Sequence, residues 1–303
     1  MPSFSNEVKK EILKSITDKD KRYACLYGML LCCKSIPDGK ISFATESEEL
    51  PSVFKKLIKS VFSDKITVNV EESHKKSGTA VYQVSIEDKQ QTAEILGKYK
   101  ISASDPRLEL YNIANNSMST FLAGAFLISG SVSDPYKEYH LEFTLSNEGL
   151  AEDIRELLLE MGVHGKITPR KGMSILYIKN SENIEDTLTF IGAAQSTIEL
   201  MNVKIYKDMC NKANRMANCD TANIDKAVAA AARQIEDINT IKKYGEFDKL
   251  SSELKEVCQL RLENTEMTLK EIGELLSKPI GRSGVARRFG KIADMAKQLR
   301  EQK

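Results

Sequence analysis

Apolar and polar positions along the chain fall into two similar rounds of helix and strand, followed by a helical tail. Val8, Ile12, Leu13 and Ile16 share one face of a helix predicted over Ser5–Thr17, with Glu7 suited to its first turn. A more apolar helix is predicted over about 21–34. Its Ala24, Gly28 and Cys32 lie four apart, a narrow stripe of small side chains along which a second helix can approach closely. Ser35-Ile36, the turn Pro37-Asp38-Gly39 and Lys40–Thr45 read as a hairpin. Val53, Leu57 and Val61 mark a helix over Glu46–Phe62. Lys65–Glu71 and Thr79–Glu87 alternate as strands with one buried face, joined by the polar loop His74–Gly78, and Asp88–Tyr99 returns to helical spacing.

The same order then recurs. Thr120–Ser129 is predicted helical, and Ser131–Ser133 and His140–Ser146 form strands around an Asp134-Pro135 turn. Gly149–Met161 is a helix with Gly162 as its C-cap. Lys166–Arg170 and Met173–Lys179 are strands, and Ser181–Ile191 closes the round. Matching order and matching turn positions predict a duplicated domain, in which Gly28 and Gly124 occupy equivalent places and pack the two central helices together.

The remainder is helical. Gln195–Met216 leads out of the duplicated domain, and Asn218–Thr221 offers capping residues for a helix from Ala222 to Tyr244. Ser251–Leu262 is amphipathic on Leu254, Val257, Cys258 and Leu262. Thr268–Leu276 begins with Thr268 and Glu271 in capping-box spacing. Ser277–Arg282 holds Pro279 and Gly281 and reads as a turn before a last helix, Ser283–Leu299. The expected fold class is therefore α+β. A duplicated αββαββα domain spans 1–208, with halves at about 1–99 and 117–208. A linker spans 209–220, and an all-α domain spans 221–303 with a helix-turn-helix at about 268–300.

Charge sharpens this picture at one end only. The net charge is +1, yet Lys278–Lys303 carries eight basic and two acidic residues. A basic end on a neutral body points to nucleic acid held by the last helix rather than by the whole surface. A helix-turn-helix places that helix in the major groove, where arginine contacts guanine edges or phosphates. The expected DNA-contacting set is Thr268, Lys270, Arg282, Ser283, Arg287, Arg288 and Lys291, with Val285, Phe289 and Ile292 facing inward. Double-stranded DNA is thus the expected partner. No apolar run approaches the ~18 residues of a membrane span, and the charged, helical start predicts no secretory leader. Six cysteines without paired spacing suit a reducing cytoplasm. His74, His140 and His164 form no metal spacing with a cysteine, and no phosphate loop or nucleophile triad is legible, so no cofactor, metal or catalytic residue is expected.

The segment LAGAFLISG resembles the LAGLIDADG motif of homing endonucleases, and the duplicated order matches the fold of that family. The resemblance implies an acidic metal ligand at the end of each motif helix. Here those positions hold Cys33 and Ser129, poor ligands for a hard divalent ion. Asp134 and Asp38, a few residues on, are the carboxylates that a relocated, metal-dependent endonuclease site would use, although each sits at a turn where Asp is common. The strand Lys166–Arg170 with Lys171 carries charge that suits a residual DNA contact by this domain. Over nearly the whole chain the sequence resembles the WhiA family of Gram-positive DNA-binding regulators. The resemblance rests on SFSNEVKKEI, FLAGAFLISGSVSDPYKEYHLEF, NCDTANIDKAVAAAARQIEDI and LRLENTEMTLKEIGELLSKPIGRSGVARRF. It implies a sequence-specific transcription factor acting at promoters, and the chain is expected to be monomeric and, with Cys33 and Ser129 at the ligand positions, catalytically inactive. Its implied roles are in sporulation, or in cell division and chromosome segregation. RNA polymerase or another regulator is a further candidate partner, through the first domain.

Overall fold

The computed structural model describes residues 3–16, 19–33, 39–113 and 117–301. The chain divides into two compact units, Met1–Lys207 and Asp208–Lys303, each with its own apolar core.

In the first unit, α1 (Phe4–Ser15) and α2 (Lys19–Leu31) precede β1 (Ile41–Thr45), α3 (Glu49–Phe62), β2 (Asn69–His74), β3 (Ala80–Ile86) and α4 (Lys89–Tyr99). The second round is α5 (Met118–Ser129), β4 (Gly130–Val132), β5 (Leu141–Leu145), α6 (Glu148–Glu160), β6 (Lys166–Arg170), β7 (Met173–Ile178) and α7 (Ser181–Phe190). Each round builds an antiparallel sheet. The described strands run in the order β1-β3-β2 in the first and β4-β5-β7-β6 in the second. Ile41 faces Ile86 and Phe43 faces Val84 in one sheet, as Leu141 faces Ile178 and Phe143 faces Leu176 in the other. Period-two alternation sends these same-face residues into the core. The expected hairpin strand Ser35-Ile36 and its Pro37-Asp38 turn lie outside the described residues.

Two helices, α2 and α5, form the centre. Gly28 and Gly124 lie where the backbones touch. A Cβ on Gly28 would sit 2.1 Å from the Phe121 carbonyl oxygen, and one on Gly124 would sit 2.1 Å from that of Cys25. The surrounding Leu26, Leu30, Leu122 and Phe126 are fully buried, so the contact is both apolar and close. Tyr27 stacks on Tyr99 at 5.5 Å, and its hydroxyl accepts the Glu109 N–H at 2.8 Å. Arg107 Nε, 2.8 Å from Asp153 Oδ2, fixes the same connecting segment to α6.

Two local expectations change. The strand expected at Lys65–Glu71 begins later, at Asn69, because Ser63–Lys65 winds into a single 3-10 turn after α3. Pairing with β3 sets its far end. The ladder runs out to His74 against Ala80, leaving only residues 75–79 as the loop, closed by the Lys75 N–H on the Thr79 carbonyl at 2.9 Å. The second change concerns 209–220. No linker breaks the chain there, since α8 runs without interruption over Ala194–Lys243. Asn218, Asp220 and Thr221 can cap a helix, but they can also sit exposed inside one when no turn geometry diverts the backbone, and here they do.

The start of α8 is held by α1. Glu11 accepts the N–H groups of Gln195 at 2.6 Å and Ser196 at 3.0 Å, and the Ser196 hydroxyl at 2.9 Å. A carboxylate from a distant helix thus does the work of an N-cap and meets the positive end of the helix dipole. Glu11→Ala is expected to destabilise the first unit by about 1–2 kcal/mol, read as a lower thermal midpoint. Glu11→Gln, which keeps an acceptor, should recover part of the loss.

Candidate nucleic-acid interface

The second unit after α8 is α9 (Ser252–Glu263), α10 (Leu269–Leu275) and α11 (Arg282–Glu301). Thr268 caps α10: its hydroxyl accepts the Glu271 N–H at 3.3 Å, and Glu271 reaches back to the Thr268 N–H at 2.7 Å. The Thr268 backbone N–H holds the Glu271 carboxyl below its usual pKa. Six residues separate α10 from α11. Ile280 donates its N–H to the Gly273 carbonyl at 3.1 Å. A Cβ on Gly273 would lie 2.2 Å from the Ile280 carbonyl oxygen, so the turn folds directly onto the α10 backbone. Glu256 on α9 fixes the same turn by accepting the Ser277 N–H at 2.6 Å and hydroxyl at 3.1 Å.

On α11 the inward positions are Val285, Phe289, Ile292 and Ala296, all buried at helical spacing. Ser283, Arg287 and Lys291 lie four apart on the opposite, exposed face, with Arg282 exposed at the helix start. The helix begins at Arg282, so Ser283 sits inside the first turn rather than at the cap, beside N–H groups that have no partner within the helix. That combination of first-turn N–H groups and exposed cations suits an anionic backbone.

Arg288, Arg300 and Lys270 each have a carboxylate partner. Arg288 turns to the side, its side chain 16% exposed and its Nη2 3.1 Å from Glu253 Oε2 on α9. Arg300 bonds Asp237 at 2.9 Å and Thr240 at 3.2 Å on α8. Lys270 is exposed and lies 3.8 Å from Glu274. The structure therefore gathers Arg282, Ser283, Arg287 and Lys291 on one helix, and gives Thr268 a capping role and Arg288 an interhelical one.

One residue escaped the sequence reading. Arg261, on α9, is only 2% exposed. Its Nε donates to Gln234 Oε1 at 3.0 Å, and its Nη1 donates to the carbonyls of Met267 at 2.6 Å, Asn264 at 3.3 Å and Thr265 at 3.4 Å. Its guanidinium carbon lies 5.6 Å from the centre of the Phe289 ring. Burial pulls its pKa below the ordinary guanidinium value. The signal was present: Leu254, Val257 and Cys258 make 261 the next inward position, and that position holds an arginine.

The first unit offers no comparable chemistry at its motif helices. Cys33 and Ser129 are buried, and their side chains are spent on the preceding turn. The thiol donates to the Met29 carbonyl at 3.3 Å and the hydroxyl to that of Ala125 at 2.8 Å. Burial pushes the Cys33 thiol far up and that of Cys32 up to about 12, so without a metal both are neutral. Asp134 accepts the Tyr136 N–H at 2.9 Å within its turn, and Asp38 lies outside the described residues. Among the described residues no group of three His, Cys, Asp or Glu could hold an ion. On the second sheet Arg170 is committed to Glu142 at 3.0 Å, which also meets His140 at 3.1 Å.

Comparison with known proteins agrees with this architecture. Residues 118–210 match the model of the WhiA LAGLIDADG-like domain, and residues 213–296 match that of the WhiA C-terminal HTH domain. The chain is 36% identical to the "Probable cell division protein WhiA" of Thermoanaerobacter sp. (strain X514), over 99% of both chains. It is 35% identical to the protein of the same name from Clostridium tetani, over 98% of both. The crystal structure of full-length DUF199/WhiA from Thermatoga maritima has a similar fold, with a TM-score of 0.60 at 23% identity over 98% of this chain and 99% of that one. With relatives alike from end to end and both kinds of domain matched, the chain belongs to the WhiA family.

Proposed function

We propose that this protein is a DNA-binding regulator of cell division, reading double-stranded promoter DNA with α11 of its second unit and carrying no nuclease activity. The observation that carries the reading is the exposed line of Ser283, Arg287 and Lys291, with Arg282 at the helix start, backed by buried Val285, Phe289 and Ile292. Such a helix presents cations to phosphates and base edges while its other face is fixed by its own core. The role in cell division rests on the name carried by the full-length relatives. The test is selection of duplexes from a random-sequence pool by the full-length chain. A single enriched motif, bound at least 1,000-fold more tightly than scrambled duplex, is the expected result, and no enrichment would refute the reading.

The donor set at the motif helices supports the absence of catalysis, because a buried hydroxyl and a neutral thiol supply no hard ligand for Mg²⁺. Supercoiled plasmid incubated with the purified chain and Mg²⁺ or Mn²⁺ is expected to remain intact. Nicking that disappears in an Asp134→Ala variant would overturn this part of the reading.

A further inference from the structure

The guanidinium of Arg261 is placed where a structural cation is unusual. It is buried, and its four hydrogen-bond acceptors are all neutral. A charge without a counter-charge in the interior is costly to keep, and a neutral side chain of similar volume would ordinarily fill such a space at lower cost. What the arginine does that an apolar residue cannot is join three elements at fixed angles. Gln234 belongs to α8, the carbonyls of residues 264, 265 and 267 form the entry to α10, and Phe289 lies on the inward face of α11. The Met267 carbonyl directly precedes the Thr268 cap, and Phe289 lies two residues after Arg287, so one planar group touches the entry to α10 and the body of α11.

We infer that Arg261 is a positioning residue for DNA recognition, setting the angle of α11 against α10 and thereby which base edges Arg287 and Ser283 can reach. The inference rests on the reading of α11 as the recognition helix. Phosphate attraction needs only positive charge near the duplex and tolerates small rotations. Bidentate base contacts do not, because they depend on fixed donor geometry. Loss of the Arg261 fork should therefore separate the two components of binding. Lysine keeps the charge but offers a point donor in place of the planar fork, so Arg261→Lys should behave as a partial loss rather than as wild type.

The experiment measures the affinity of the full chain for its selected duplex and for a scrambled duplex at one salt concentration. It uses wild type, Arg261→Lys and Arg261→Met, with thermal unfolding recorded for each. The expected result is a scrambled-duplex affinity within about twofold of wild type and a target-to-scrambled ratio reduced at least tenfold in Arg261→Met, less in Arg261→Lys. Gln234→Leu and Phe289→Leu each remove one partner of the guanidinium and are run alongside, in case Arg261→Met does not fold. Each should lower the same ratio. Folded variants with an unchanged ratio, differing only in unfolding temperature, would overturn the inference and leave the DNA-reading function standing. Loss of discrimination in wild type itself would instead defeat the functional reading, and this inference with it.

Discussion

Gly124→Ala is expected to unfold the first unit at temperatures where the wild type is fully folded. The added methyl would sit 2.1 Å from the Cys25 carbonyl oxygen, and its backbone carbon and Cα lie within 3.1 Å. These are backbone atoms in the buried stretch of α2 that begins at Ala24, so no side-chain rotation relieves the overlap. The two helices must separate, and the surrounding core, including Leu26, Leu30, Leu122 and Phe126, must open with them. Overpacking against movable side chains costs about 1–3 kcal/mol, and a backbone collision at the centre belongs at or above the top of that range. A fall of roughly 10 °C in the unfolding midpoint follows for a unit of this size. Gly28→Ala meets the Phe121 carbonyl in the same way. The double variant should be less than additive, since the first methyl already forces the helices apart. A thermal midpoint within about 2 °C of wild type for either single variant would show that the helices are not held at this distance.

A variant with Arg282, Arg287 and Lys291 all changed to Ala should lose about 100-fold in affinity for duplex DNA at ~0.1 M salt. The slope of log affinity against log salt should fall by about 2–3, as expected when up to three phosphate contacts disappear. Arg288→Ala, by contrast, should change affinity by less than about threefold, although it lies between those residues in sequence. Its guanidinium is turned to Glu253 on α9 and is mostly covered. Its loss should appear instead as a small decrease in stability, of the order of an exposed ion pair. Titrations across a salt series separate the two outcomes. The reverse ranking, with Arg288→Ala the damaging change, would move the DNA contact to the α9 side of the motif.

The neighbouring arginines at 287 and 288 show where sequence reasoning stops. Both are long, basic and close to the start of the helix. Helical spacing places 287 in line with 283 and 291, but it says nothing of what stands beside 288, because Glu253 arrives from another helix. Arg261 carries the same lesson in the opposite direction. Its spacing marked it as inward, yet an arginine at an inward position is read by habit as surface. Only the carbonyls converging from residues 264–267 explain how a cation is accommodated there. The capping residues at 218–221 misled for a related reason. A cap is a local option, and whether the backbone takes it depends on packing that local sequence does not carry.

The sequence by itself determined the two rounds of helix and strand, the equivalence of Gly28 with Gly124, the absence of acidic ligands at positions 33 and 129, and the basic helix at the far end. These follow from periodicity, residue chemistry and spacing, all of which are local. The tertiary structure alone decided how close α2 and α5 lie and which carboxylate caps α8. It also decided which of the cations on α11 remain exposed and which are spent on α9 and α8. Each of those outcomes depends on a partner distant in the chain, and no local pattern specifies the distance at which that partner arrives.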